Sequence, residues 1–523
     1  MPAVPSKSFA VHLRPNDNIA VAARPIPEGT VVQLEGITVT TPGPIKMGHK
    51  FAVVPIKEGD PILKYGQIIG FAGRNIAIGE HVHVHNVILG KFDRDYAYCS
   101  ETPAPLPPPA DYRTFMGYDR GPSRPEHLRY GTRNYIAIIS TVNCSAATSK
   151  YVSERLRASG VLEKFPNVDG IVPIIHKQGC AMAYDGEDHK QLDRTLAGFA
   201  RHPNVGAYIL IGLGCETGQA IHLTEGEHLD LITLGGSKRK PLVLTIQECG
   251  GIGKTVEAGV KAVIDLLPAV NEYKRVQLPA KHIMLGTNCG GSDGNSGVTA
   301  NPALGVASDL IIQQGGTSIL GETTEIYGAE HMLTRRAITR AVGEKLVERI
   351  KWWEWYTSIF GVEINNNPSV GNKEGGLTTI YEKSLGAIAK AGSTAMVDVV
   401  QYAEAVKVKG MVVMDTPGYD PVSMTGIVAG GANVLVFTTG RGSVFGCKPA
   451  PSIKVATNSP LYTHMLGDMD INAGRVLDGV PVEEIGREIF EKILTVASGE
   501  KTKSELNGVG EEEFAPWSIG PTL

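Results

Sequence analysis

Three histidines alternate with valine in the run Glu80-His81-Val82-His83-Val84-His85-Asn86. On a strand, side chains two apart share a face, so His81, His83 and His85 would line one side. Neutral imidazoles grouped in this way suit zinc, iron, copper or nickel, or could touch a substrate. The plainer reading is a polar strand face with Val82 and Val84 inside. A second set consists of thiols. Cys144, Cys180, Cys215 and Cys289 each follow a predicted strand, where open parallel sheets keep their ligand crevice. Converging there, they would hold iron directly or as an iron–sulfur cluster. No CxxC spacing links them, and cysteine also packs as a small hydrophobe. The third set is glycine-rich and polar: Gly290 to Gly297 (GGSDGNSG), Asn367 to Gly376 (NPSVGNKEGG) and Thr438 to Gly442 (TTGRG). Exposed backbone N–H groups beside Ser, Asn, Lys and Arg favour an anionic, hydroxylated small molecule; ordinary βα loops are the bland alternative.

These residues need elements to carry them. Residues 1–98 show short Val/Ile runs broken about every ten positions by turns such as Glu28-Gly29, Glu58-Gly59-Asp60 and Ile78-Gly79-Glu80. That rhythm predicts a small all-β module. The proline run Thr102 to Pro109 marks a linker over 99–128. From about 129 the pattern becomes strand, Gly-rich turn, helix, with buried strands predicted at Tyr135–Val142, Gly170–Ile175, Ala207–Leu213 and Pro241–Ile246. Such alternation implies parallel sheets with crossover helices. We divide it into an α/β second domain, 129–275, and an α/β C-terminal domain, 276–513, with 514–523 as a tail. The acid run Glu511–Glu513 reads as a solvated end. The expected fold class is therefore multidomain: an all-β module followed by α/β domains with mostly parallel sheets.

Composition excludes several function classes. The net charge is −4 and there is no dense basic run, which argues against a nucleic-acid partner. No apolar stretch approaches the roughly 18 residues of a membrane span, and no secretory leader is legible. Seven cysteines, odd in number and scattered, do not make a disulfide framework. Glycine stands out, at 62 of 523 residues against an average of about 7 %. The expectation is a cytoplasmic globular enzyme, with a homodimer as the default assembly. The stretch Glu248 to Thr255 (ECGGIGKT) imitates a phosphate-binding loop, but Glu248 stands where the motif requires glycine.

Several long segments, in order, resemble the altronate/galactarate dehydratases, hydro-lyases of sugar acids. They are Gly48-His49-Lys50-Phe51 and Lys64-Tyr65-Gly66 in an N-terminal SAF-like (β-clip-like) module, Gly212 to Glu216, Cys289 to Asp293, Gly297 to Pro302, Asn367-Pro368-Ser369, Gly371-Asn372-Lys373, Thr439 to Gly442 and Asp470 to Gly474. The His-rich run and Glu325 to Glu330 resemble the altronate branch more than the galactarate branch. A split-chain branch that releases sulfite from sulfolactate, and a non-catalytic sugar-acid binder, are the alternatives. The resemblance implies Fe2+, or Mn2+, as cofactor and loss of water to give a 2-keto-3-deoxy acid. On that expectation His81, His83 and His85 are the metal candidates, with Cys144, Cys180, Cys215 and Cys289 as the rival site. Lys373 and Arg441 would steady the carboxylate. Ser292, Asn301, Asn372 and Thr439, with Asp293, would hold hydroxyls. His85, His176 and Asp293 are the candidate bases.

Overall fold

The computed structural model describes residues 9–229, 232–234 and 237–520. The first eight residues of the 1–98 module and the last three of the 514–523 tail lie outside the described residues. The turn-punctuated N-terminal runs form an antiparallel sheet of Ala10–Val11, Ile19–Ala22, Lys50–Ala52 and His81–Val82, in that order. A second sheet joins Pro61–Lys64, Gln67–Ala72 and Val87–Ile88. Strand alternation gives the module two apolar faces. Ala20, Ala22 and Phe51 close a core of its own. Ile19, Val21, Ile62, Ile69 and Val82 instead merge with Leu320, Ile326, Leu333 and Leu385 of the C-terminal domain. The module is thus fastened down over the carboxyl-edge loops of that domain.

The second domain is a parallel sheet ordered Gly170–Ile174, Tyr135–Ser140, Val205–Gly212, Leu242–Thr245. Its two central strands are buried along their full length, which explains their unbroken apolar runs. Helices Ala146–Ala158, Glu187–Arg201 and Ile252–Asn271 cover it. The C-terminal domain holds seven parallel strands in the order Met396–Val400, Gly410–Met414, Thr317–Leu320, Met284–Cys289, Val434–Thr439, Ser452–Ala456 and Ile471–Asn472. The all-β module followed by parallel α/β domains is the fold class the sequence implies.

The differences are instructive. The stretch 99–128 is not bare linker. Cys99 and Glu101 donate backbone hydrogen bonds to the carbonyls of Thr334 (3.1 Å) and Arg335 (2.9 Å), and Thr114–Asp119 pairs antiparallel with Val276–Pro279. Proline blocks ladder donors only within Pro103–Pro109, and the chain resumes pairing beyond it. The acid run is not a free end either. Glu511 pairs with Arg157 and with Lys448, Phe514 is buried against Phe199, and Trp517 stacks on Trp353 at 5.0 Å. No helix among the described residues is long and apolar enough to cross a membrane.

Arg133 of the second domain bridges to the C-terminal domain. Its guanidinium donates to both carboxylate oxygens of Glu505 (2.7 and 2.8 Å) and to the carbonyls of Val496 and Glu500. Burial opposes the charge on Glu505, but Arg133 outweighs it and holds the carboxyl below its ordinary value. Its stabilisation is therefore present above the ordinary carboxylate pKa and fades as pH falls through the depressed native one. Glu505→Gln should cost roughly 3 kcal/mol in urea unfolding at neutral pH, and the gap from wild type should close in acid. An unchanged midpoint at neutral pH would refute this bridge.

Candidate active site

The His-rich run starts as a strand and then leaves it. His81–Val82 pairs with Lys50–Phe51, after which His83 to Asn86 turns, with Asn86 N–H donating to the His83 carbonyl at 2.9 Å and Asn86 Oδ1 accepting from His83 N–H. The period-two reading therefore ends at Val82. In place of one strand face, the structure gathers His49, His81 and His83, whose ligand atoms lie within 4.8 Å of one another. His49 Nδ1 and His81 Nε2 are 3.0 Å apart, the His81 and His83 rings stack at 5.3 Å, and His83 Nδ1 is buried with no hydrogen-bond partner. His85 is exposed beside them, its ring 5.4 Å from that of His81. Burial, then the neighbouring His49, pushes His81 down to about 4; burial, then Lys50, takes His83 to about 3. Both are neutral imidazoles at physiological pH.

The polar loops meet this group directly. His49 Nε2 lies 3.0 Å from the Glu374 carbonyl oxygen, and Arg441 donates to the Glu374 carboxylate at 3.3 Å. Lys373 precedes Glu374 in the short helix Val370–Glu374. A Cβ at Gly294 would overlap the Gly48 carbonyl, so only glycine lets the module approach this closely. Beneath the contact, Glu382 accepts from Lys50 (2.8 Å) and Lys64 (2.9 Å), and all three side chains are fully buried. A small cavity follows, lined among others by Tyr65, Cys289, Ser292, Asp293, Glu382 and Lys383. At its floor Cys289 Sγ lies 2.9 Å from Lys390 Nζ, which also pairs with Glu322; Lys383 donates to Glu325 at 2.7 Å.

The sequence-predicted residues divide by what they already bond. Ser292 Oγ is buried without a partner, and Lys373 and Arg441 keep accessible heads. Asp293 accepts from Asn295 N–H, Ser296, Thr457 and Asn458, at 2.9 to 3.3 Å; burial raises its pKa, and its oxygens knit the loops together. Asn301 donates to the Gly386 carbonyl and accepts from Thr438. Asn372 caps its helix against Ser369 and donates to the Ser292 carbonyl. Thr439 Oγ1 accepts from Gly442 N–H. These three shape the loops from within. His176 lies in the second domain, its Nε2 against the Ser140 carbonyl and its Nδ1 accepting from Gln178 N–H. With both nitrogens engaged, it positions its loop. The four cysteines do not converge, because two separate sheets carry them: Cys289 ends a strand of the seven-stranded sheet, while Cys144, Cys180 and Cys215 sit in exposed loops of the second domain. His49, Lys50, Lys64, Glu382, Lys383 and Lys390 escaped the residue-by-residue reading.

Family models match the chain three times: the altronate/galactarate dehydratase SAF domain over residues 8–89, the D-galactarate dehydratase/altronate hydrolase second domain over 117–271, and the D-galactarate/altronate dehydratase C-terminal domain over 280–522. An altronate dehydratase of Bacillus subtilis is 36% identical over 520 residues, 99% of this chain and 100% of that one. An altronate dehydratase of Escherichia coli is 35% identical over 508 residues, 97% of this chain and 98% of the relative. The L-threo-forming galactarate dehydratase of the same species is 35% identical over 506 residues, 94% of each. The chain belongs to the altronate/galactarate dehydratase family.

For a family member with this SAF module, the donor sets of the two ligand groups differ in their fitness for a divalent ion. His49, His81 and His83 offer neutral nitrogens, one of them buried and unpartnered, and Lys50, the cation that acts on them, is already paired with Glu382. Cys289, Glu322 and Glu325 form the other group, but the ammoniums of Lys383 and Lys390 already stand among them. Burial, then Glu322, also pushes the Cys289 thiol up to about 12, away from the thiolate a metal needs. The histidine group fits; the Cys289 group is internally neutralised. A cavity of about 620 Å³ lies elsewhere, around Arg133, Arg157 and Lys448. Those cations are paired with Glu505 and Glu511, so it is not this site.

Proposed function

We propose that this protein removes water from an aldonic or aldaric acid, D-altronate first, to give a 2-keto-3-deoxy acid. The observation that carries the reading is the end-to-end likeness to two altronate dehydratases, together with the polar cavity beneath the histidine group. Dehydration removes the proton α to a carboxylate and expels the β-hydroxyl, so negative charge builds on the carboxylate. Arg441 and Lys373, on the polar loops beside His49, would bind it, the Arg fork in bidentate fashion. Ser292 Oγ, unpartnered, is free to hold a substrate hydroxyl. His85, outside the histidine trio and exposed, takes the α-proton. Lys383 Nζ lines the cavity; burial opposes its charge, but Glu325 raises its pKa, and it delivers a proton to the departing hydroxyl. His49, His81 and His83 would hold Fe2+ or Mn2+, which supplies Lewis-acid polarisation when bound. The same reading takes the enzyme as a cytoplasmic homodimer, the commonest symmetric assembly.

The test is an anaerobic screen of iron-loaded protein against D-altronate, galactarate, related sugar acids and sulfolactate, assaying 2-keto acid and sulfite together. Strongest 2-keto acid formation from D-altronate is expected. Galactarate as the preferred substrate would transfer the reading to that branch. Sulfite release, or ligand-induced stabilisation without turnover of any acid, would overturn it.

A further inference from the structure

Cysteine is among the most buried residue types, and Cys289 and Cys447 conform. Cys144, Cys180 and Cys215 are free and exposed. Each lies in the loop beyond one of three adjacent parallel strands, with the Cys144 loop between the other two, since the order is Gly170–Ile174, Tyr135–Ser140, Val205–Gly212. The three loops are stitched at one place. Asn143 N–H donates to the Gln178 carbonyl at 2.8 Å, and Gly218 N–H to the Gly179 carbonyl at 3.0 Å. Gly179 has φ 92°, and a Cβ there would overlap the Thr141 carbonyl. The Cys215 turn is fixed by its neighbour Glu216, whose carboxylate accepts from Thr141 Oγ1 and from the N–H groups of Leu213 and Gly214. Much backbone order is thus spent on presenting three thiols, none of which fills a core. Two buried polar atoms beside them lack partners: Gln178 Oε1, in the Cys180 loop, and Thr148 Oγ1, one helical turn beyond Cys144.

The three thiols do not close on a single ion. One tetrahedral ion would need sulfurs roughly 3.8 Å apart, given metal–sulfur bonds of about 2.3 Å. Among the described residues only the histidine and Cys289 groups close to within 4.8 Å. A cluster sets its thiolates on separate iron corners and does not require that closeness. Such a cluster with its thiolates is anionic. The helix Ala146–Ala158 begins two residues after Cys144 and has no acidic residue in its first turn, so its dipole favours that charge.

We propose that Cys144, Cys180 and Cys215 hold a [4Fe–4S] cluster, with one iron left without a protein ligand and open to an oxygen ligand. This site is separate from the histidine group and does not depend on the choice of sugar acid. The full chain, reconstituted anaerobically with Fe2+ and sulfide, should carry about four sulfide per chain and about four iron beyond the one ion of the histidine group, with broad visible absorption. Cys144→Ser, Cys180→Ser and Cys215→Ser should each lose that absorption and sulfide; His83→Ala and Cys99→Ala should keep both. Ferricyanide should take one electron and release the open corner as Fe2+, converting [4Fe–4S]2+ to [3Fe–4S]+, with a new paramagnetic signal and one ferrocyanide formed. If the serine variants fold poorly, alkylation of the wild type replaces them: the three thiols should be shielded in the reconstituted protein and reactive once iron is chelated. Absence of sulfide from folded, reconstituted protein, zinc in place of iron, or a cluster that survives all three substitutions would overturn the proposal.

Discussion

His49→Ala, His81→Ala and His83→Ala should each lose divalent-metal binding and at least about a hundredfold in turnover, whereas His85→Ala should keep its metal and lose turnover alone. Second-sphere partners of a metal already cost 10- to 100-fold when removed, so a direct ligand should cost no less. Removal of a general base costs about 10²–10⁴-fold. The split follows from placement. His49, His81 and His83 approach within 4.8 Å as a set, while His85 is exposed next to them. Metal content of purified variants, measured beside dehydration rate, separates the two roles. Full metal content in His49→Ala and His83→Ala would remove the histidine centre, and near-normal turnover by His85→Ala would remove the base. Loss of metal in all four variants would mean that His85 is a fourth ligand.

The sequence exposed the histidines but misassigned their geometry, and the reason is local. Alternation promises a shared face only while the chain remains a strand, and Asn86 Oδ1, accepting from His83 N–H, turns it after two residues. His49 lies 32 positions before His81, on the strand-pairing partner of His81–Val82. No periodicity within one segment can reveal a ligand supplied across a sheet. Its only signal was the motif Gly48-His49-Lys50-Phe51. The parallel strands were legible because double-sided burial writes unbroken apolar runs, as in Tyr135–Ser140. Ser452–Ala456 (SIKVA) was missed because Lys454 interrupts it. That lysine is fully buried, donating to the Phe445 carbonyl and to Ser504, which only the folded chain discloses. Lys50, Lys64 and Glu382 were hidden in the same way. Charged residues read as surface until a partner more than 300 residues away is seen.

Those three residues carry the second large prediction. Glu382→Gln should destabilise the protein by roughly 3–5 kcal/mol, because it strands two ammoniums in the interior with no counter-charge. The carboxylate also accepts from Thr378 N–H and Thr378 Oγ1 at 2.9 and 2.7 Å, and among the described residues it is the anion that pairs with both Lys50 and Lys64 of the N-terminal module. Burial alone would raise its pKa, but the two lysines hold it well below the ordinary carboxylate value. A depressed native pKa means the stabilisation is complete above the unfolded value and is lost only as pH falls through the native one. The wild type should therefore keep its module seated in mild acid, and the variant should lack this reserve at every pH. Since Gly48, His49 and Lys50 are consecutive, an unseated module also carries His49 away from Glu374, and turnover should fall with it. Urea unfolding, and protease cleavage within residues 99–113, report the two effects separately. Replacing the trio together, with Lys50→Met, Lys64→Met and Glu382→Leu, should recover most of the stability, since apolar side chains of similar volume can substitute for buried ions. A Glu382→Gln protein that unfolds and resists protease as the wild type does would show that the module is held by its apolar face alone.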